Sequence, residues 1–343
     1  MQIEKTLIKE LGHYTEVKRY SDPQLADVHI DTALTNLAVG YRNGNMIGQG
    51  LMPIVSVAKE SDKYYVFGKE NFKVPEDGTI RAVGADFKQW GGFKPTTGQY
   101  LCEQYGLEYL LDNRIRNNSD MPITVDKAVL MMMQDVLALD YEQRIASLLT
   151  TVANFDSTNY TTITDAANQW DAYTTVGGTD TSDPLEDIRK GIQAVEDNCG
   201  MSPNVIAMDK KVWRFLRKHP SIVAKLGLRI NLGNAEAKPQ EFVDMVDELS
   251  TILIAGSRYD TATEGDDVSL SATWGKDVVL AYVPGAPVIL QPSIGYTFEV
   301  ANSVKVYTYD HKGWATIIRV EQGIRDEKIV AKGCGYVIKA AIS

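Results

Sequence analysis

The stretch KVPEDGTIRAVGADFKQWGGFKPTTGQY, residues 73–100, constrains this chain more than any other. Pro75, Gly78, Gly84, Gly91, Gly92, Pro95 and Gly98 interrupt it. That many breakers forbid a packed helix. Before it, Val55, Val57, Tyr65 and Phe67 give apolar residues at period two, broken by a polar turn at 60–62. The pattern predicts a long extended hairpin with a turn-rich tip. Loops of this length inside a compact domain are uncommon and usually act outside it.

Farther on, TVDKAVLMMMQDVLALDYEQRIASLL predicts one long helix over residues 125–149, with Thr124 as its N-cap. Its length would be roughly 37 Å at about 1.5 Å per residue. Val125, Ala128, Val129, Met132, Val136 and Leu139 form one apolar row, and Leu130, Met133, Leu137, Tyr141, Ile145 and Leu148 the next. A face that broad predicts burial along most of the helix, Met132 included.

After a polar connector, a helix opens at Asp183-Pro184 and closes at Gly200. NVIAM, TILIAGS and DVVLAYVP read as short buried strands. DKKVWRFLRKHPSIVAKL reads as a helix capped by Asp209 and broken at Pro220, and PQEFVDMVDEL as a further helix. From residue 295 onward, Val, Ile, Tyr and Thr dominate, with turn signals at 302–303, 312–313 and 332–333. These predict successive antiparallel strands. Residues 1–46 read as a polar arm with one short helix near 32–39. The fold class is α+β.

Chemistry is hard to find. No phosphate-binding glycine pattern follows a strand, since GNMIGQG has the wrong spacing. The four histidines are isolated, and no cysteine pair has metal-ligand spacing. Asp310 and His311 are adjacent on a strand and point to opposite faces. DTATEGDD, residues 260–267, gathers four carboxylates but departs from the calcium-loop spacing, so a solvated loop is the expected reading. No catalytic, cofactor-binding or metal-binding residue is assigned. The three cysteines, Cys102, Cys199 and Cys334, are expected to be reduced thiols. No stretch is long and apolar enough to span a membrane.

The densest cationic segment carries Lys210, Lys211, Arg214, Arg217, Lys218 and Lys225. Val212, Phe215 and Leu216 form its apolar side, with Trp213 off that row beside the cations. The chain as a whole bears a formal charge of −10. Tight binding along nucleic acid needs the opposite sign. The cations are therefore expected to meet acidic neighbours, in the same chain or another.

This order of parts resembles the major capsid proteins of tailed bacteriophages, with the fold named after phage Hong Kong ninety-seven. The stretches carrying the resemblance are YGLEYLLDNRIRNNSDMPITVDKAVLMMMQDVLALDYEQRIASLL, WDAYTTVGGTDTSDPLEDIRKGIQAVEDNCGMSPNVIAMDKKVWRFLRKHPSI and WGKDVVLAYVP. The resemblance implies an N-terminal arm over 1–46 and an E-loop hairpin over 47–98. It implies a peripheral domain over 99–182 with the spine helix 125–149. An axial domain over 183–309 and return strands of the peripheral domain over 310–343 complete the division.

The implied function is structural, without catalysis: self-assembly through hexamers and pentamers into an icosahedral-type virion shell enclosing double-stranded DNA, bound without sequence specificity. Assembly in the host cytoplasm, a separate scaffolding protein, a portal protein and a possible decoration protein are further implied partners. The family's N-terminal scaffolding segment has only a short arm in its place here. Lys73, Gly78, Trp90 and Phe93 of the hairpin are the expected inter-subunit contacts, though Trp90 and Phe93 could equally pack within the hairpin base. Two alternatives remain: an encapsulin-like shell around protein cargo, and a metal-dependent hydrolase using loop 260–267.

Overall fold

The structure is a computed structural model. It describes residues 29–30, 44–66, 74, 78–87, 96–118, 122–173, 181–226, 236–263, 265–287 and 291–343. The expected helix near 32–39 lies outside these residues.

Two sheets organise the described chain. The first is six-stranded. Its strands run in the order β1 (His29–Ile30), β13 (Lys305–His311), β14 (Ala315–Ile329), β12 (Gly295–Val300) and β2 (Ile54–Val57), with β5 (Glu103–Asp112) also on β14. The fifteen-residue β14 holds this sheet together. Its first half pairs antiparallel with β13, its last residues with β12, and its other edge with β5. A register shift between Glu321 and Gly323, where Gly323 adopts φ 129°, bends it between these duties. Residues 54–57 were expected within the hairpin. They instead pair parallel with β12, so the hairpin proper begins later.

The second sheet is five-stranded, in the order β6 (Tyr160–Thr162), β15 (Gly335–Lys339), β11 (Val278–Ala281), β7 (Val205–Asp209) and β8 (Thr251–Ala255). All residues of β7 and β11 are buried. The final strand β15 lies here, while β12 and β13 lie in the other sheet. A boundary at 309/310 therefore does not separate the sheets.

Helices cover the second sheet. Pro184–Cys199 starts where Asp183 accepts from the amides of Leu185 and Glu186 at 3.2 and 3.4 Å, and ends at left-handed Gly200. Its Leu185, Ile188, Ile192 and Val195 are buried, each contributing roughly 1.5–3 kcal/mol by leaving water. Asp209 caps Lys210–Leu216 through the Lys211 amide at 2.7 Å, and Pro220 opens a separate helix, Pro220–Lys225. Arg217 and Lys218 share Glu236, as the dense cations led us to expect. Trp213 departs from expectation. It is buried with its ring edge-on to Phe242 at 5.8 Å, because the helix Pro239–Met245 covers that side as well.

The expectation of three free thiols is also corrected. Cys199, at the end of Pro184–Cys199, and Cys334, just before β15, form a disulfide with Cα atoms 5.2 Å apart. Their sequence separation of 135 hides the pair. Cys102 is buried and free, and burial pushes its thiol up to about 11.

The long helix spans Pro122–Thr150, so Thr124 lies in its first turn rather than at the cap. Leu130, Met133, Leu137, Tyr141, Ile145 and Leu149 are buried. The other apolar row is buried only in part: Val129 joins the core, but Met132 and Val136 are 51% and 52% exposed, and neighbouring Met131 is 44% exposed. In the first half of the helix the β5, β13 and β14 side chains Leu111, Val306, Ile318 and Val320 form the core, and they cover only one side. An apolar face wider than its cover leaves a stripe bare. Met132 is therefore not a core position. We expect Leu130→Asp, at a fully buried site, to cost more than about 4 kcal/mol, and Met132→Asp less than about 1 kcal/mol. Urea denaturation of the two variants checks this; equal losses would refute the burial pattern.

Candidate assembly surfaces

The hairpin is the pair β3 (Ser61–Val66) and β4 (Thr96–Leu101), antiparallel from Ser61↔Leu101 to Val66↔Thr96. It forms a two-stranded sheet of its own. Its root is well held. The rings of Tyr64 and Tyr100 lie 5.2 and 4.6 Å from Phe298 on β12, and the Leu101 amide donates to Asp326 at 2.8 Å. Outward from the root the cover ends. Tyr65, Ile80, Val83 and Phe87 are exposed, Val83 completely. Gly78 and Gly84 have φ of 70° and 82° with open space around them, so backbone conformation, not crowding, requires glycine there. A two-stranded ribbon is marginal in water by itself.

Of the four expected contact residues, Gly78 sits at this exposed tip; Lys73, Trp90 and Phe93 lie outside the described residues. Tyr65, Ile80, Val83 and Phe87 were not singled out from the sequence. The available signal was apolar residues lodged between breakers in GTIRAVGADF, where no helix or core strand could bury them.

Two further apolar surfaces are bare. One is the helix stripe of Met131, Met132 and Val136. The other is β5, whose Leu107, Tyr109 and Leu110 are 37–45% exposed and whose second edge pairs with no strand among the described residues. Contiguous bare apolar area marks interaction sites in soluble proteins.

What aims the hairpin is a buried polar joint. Glu142, on the long helix, is 1% exposed. Its Oε1 accepts from the Ile47 amide at 2.9 Å and from the Trp274 indole at 2.6 Å, and its Oε2 from the Gly48 amide at 2.7 Å. A Cβ on Gly48 would meet Glu142 Oε2 at 2.8 Å, so glycine permits the approach. Burial pushes the Glu142 carboxyl above the usual glutamate range, and the three donors pull it back only in part. The acidic loop offers no comparable chemistry. One carboxylate oxygen of Asp260 is occupied by the Ala262 and Ser269 amides, both at 2.9 Å, and no metal-holding group of three acidic, His or Cys side chains occurs among the described residues. No described helix is long and apolar enough to cross a membrane.

The surfaces thus fit contacts with other chains, and comparison with known proteins agrees. Residues 124–291 match the family model for phage major capsid protein E. The major capsid protein of Burkholderia phage BcepMu is 26% identical over 314 residues, covering 90% of this chain and 95% of that one. The chain belongs to the phage major capsid protein family. A phage-related protein from Bordetella bronchiseptica RB50 is similar in fold, with a TM-score of 0.70 at 23% identity over 92% of this chain and 98% of that one. The capsid structure of cyanophage P-SCSP1u gives 0.55 at 11% identity, covering 97% and 94%. The α+β architecture is thus the phage capsid fold. Phage major capsid proteins are structural, not enzymatic, and form oligomeric shells of the virion.

In this capsid protein Glu142 ties the chain entering the hairpin to the long helix. We expect Glu142→Leu to lose about 3 kcal/mol of stability, because three buried donors are left unpaired. The sign with pH follows from the raised carboxyl. Its contribution is complete below the unfolded glutamate pKa and declines as pH rises through the folded value. The gap between wild type and Glu142→Leu should therefore be widest in acid below the unfolded glutamate pKa and narrow as pH rises through the folded value. Denaturation at several pH values measures it, and a gap that widens with pH would contradict the assignment.

Proposed function

We propose that this chain is the major capsid protein of a tailed bacteriophage, assembling through hexamers and pentamers into a closed icosahedral-type shell around double-stranded DNA. The observation that carries the reading is a hairpin with a held root and a bare apolar tip, in a chain of this family. Burial of Ile80, Val83 and Phe87 against a neighbour would contribute roughly 1.5–3 kcal/mol each, which no surface among the described residues supplies. Within residues 47–98, the ribbon that starts at Ser61 acts as the E-loop, with Lys73, Gly78, Trp90 and Phe93 among its contacts. The long helix is the spine, the five-stranded sheet with its covering helices the axial domain, and β12, β13 and β14 the return strands of the peripheral domain.

The charge of −10 supports a container that packs DNA without gripping it. Assembly takes place in the host cytoplasm with a scaffolding protein and a portal protein, and a decoration protein is compatible with the same shell. The contents of purified particles, DNA or protein cargo, distinguish a virion from a compartment shell.

Removal of residues 78–90 provides the test. The deleted chain should remain folded and soluble, with urea stability near wild type, yet form no closed shells by negative-stain electron microscopy. Shells of normal size from the deleted chain would overturn the role given to the hairpin.

A further inference from the structure

A second ribbon stands apart from both large sheets. Strands β9 (Arg258–Asp260) and β10 (Leu270–Ala272) pair only with each other among the described strands. The root is fixed by Arg258, whose guanidinium meets both oxygens of fully buried Asp209 at 2.6 and 3.2 Å. Asp209 also caps the helix Lys210–Leu216. One carboxylate therefore sets the ribbon and this helix relative to each other.

Beyond the root, the ribbon has little cover among the described residues. Val268 and Leu270 are 71% and 66% exposed. Residues 259–275 include Asp260, Glu264, Asp266 and Asp267 and no lysine or arginine. Asp266 and Asp267 are exposed and form no ion pair among the described residues. The helix presents the opposite charge. Lys210, Lys211 and Arg214 are exposed and likewise form no ion pair there, the Lys211 ammonium donating to the Ser343 carbonyl at 3.4 Å. Glu236 takes Arg217 and Lys218 but leaves these three.

We propose that the ribbon 258–272 is a clasp between copies of this chain, its acidic, apolar-edged tip docking on the Lys210, Lys211 and Arg214 face of the neighbouring copy. The two surfaces are complementary in charge yet unpaired among the described residues of one chain. Two different but matching patches on one subunit are what a head-to-tail contact needs, and such a contact repeated by rotation closes a ring. Complementary charge fixes partner and register, while Val268 and Leu270 supply apolar area. The clasp rests on the shell reading above and adds a contact separate from the hairpin of 61–101.

Charge exchange tests it. Three full-length variants are compared with wild type: D266K/D267K, K210E/K211E/R214E, and the two sets combined. All substituted side chains are exposed, so melting temperatures should stay near wild type. Sedimentation at low salt should show the assembled fraction falling about tenfold in each single set, through like-charge contact, and recovering in the combined variant. If a reversed variant does not fold, D266N/D267N replaces it, and assembly should then weaken and lose salt sensitivity. Wild-type assembly in the single sets, or no recovery in a folded combined variant, overturns the clasp and leaves the shell reading intact. A wild type that stays monomeric in every condition defeats both.

Discussion

Glu142 is a carboxylate placed where carboxylates are costly, inside the fold with no cation hydrogen-bonded to it among the described residues. It persists because three N–H donors converge on it from the Ile47 and Gly48 backbone and from Trp274. The consequence is geometric. The chain entering the hairpin, the long helix and the segment leading into β11 are fixed to one another through one side chain. From that joint the chain passes into β2, and from β2 to the hairpin, whose root is clamped by Tyr64 and Tyr100 on Phe298. The hairpin leaves the body in a defined direction although it has no core of its own.

The distribution of apolar surface follows. Buried clusters fill the space between the second sheet and its helices and beneath the long helix. Outside them lie the hairpin tip, the Met131, Met132 and Val136 stripe and the β5 edge. A monomer that kept these in water would expose area that other folds bury. A shell subunit exposes it only until its neighbours arrive, and the family to which the chain belongs makes that the economical account.

The sequence was most legible where structure is local. Asp183-Pro184 and Gly200 bound their helix because capping and left-handed termination are decided within a few residues. Pro220 broke its helix for the same reason. Legibility failed where the answer lay in distant chain. Which of two apolar rows is buried depends on the width of the sheet beneath, so Met132 and Met133, adjacent in sequence, have opposite fates. Trp213 is buried by a helix some thirty residues away, and Cys199 meets a partner just before the last strand. Strands β2 and β15 each joined a sheet other than the expected one, since pairing partners are set by topology and not by alternation. At the candidate surfaces, breakers revealed the hairpin, but Glu142 looked like one more charge on a polar helix side.

The central claim is that the hairpin completes its burial on another copy of the chain. Hydrogen exchange of the amides in residues 61–66 and 96–101, and in the tip at 78–87, compared between assembled particles and dissociated subunits, measures this directly. The account predicts strong protection of the tip at 78–87 only in the particles and a gain of protection there along the outer part of the two strands, with the root, β7 and β11 protected in both states. Equal exchange of the hairpin in particles and free subunits would contradict it.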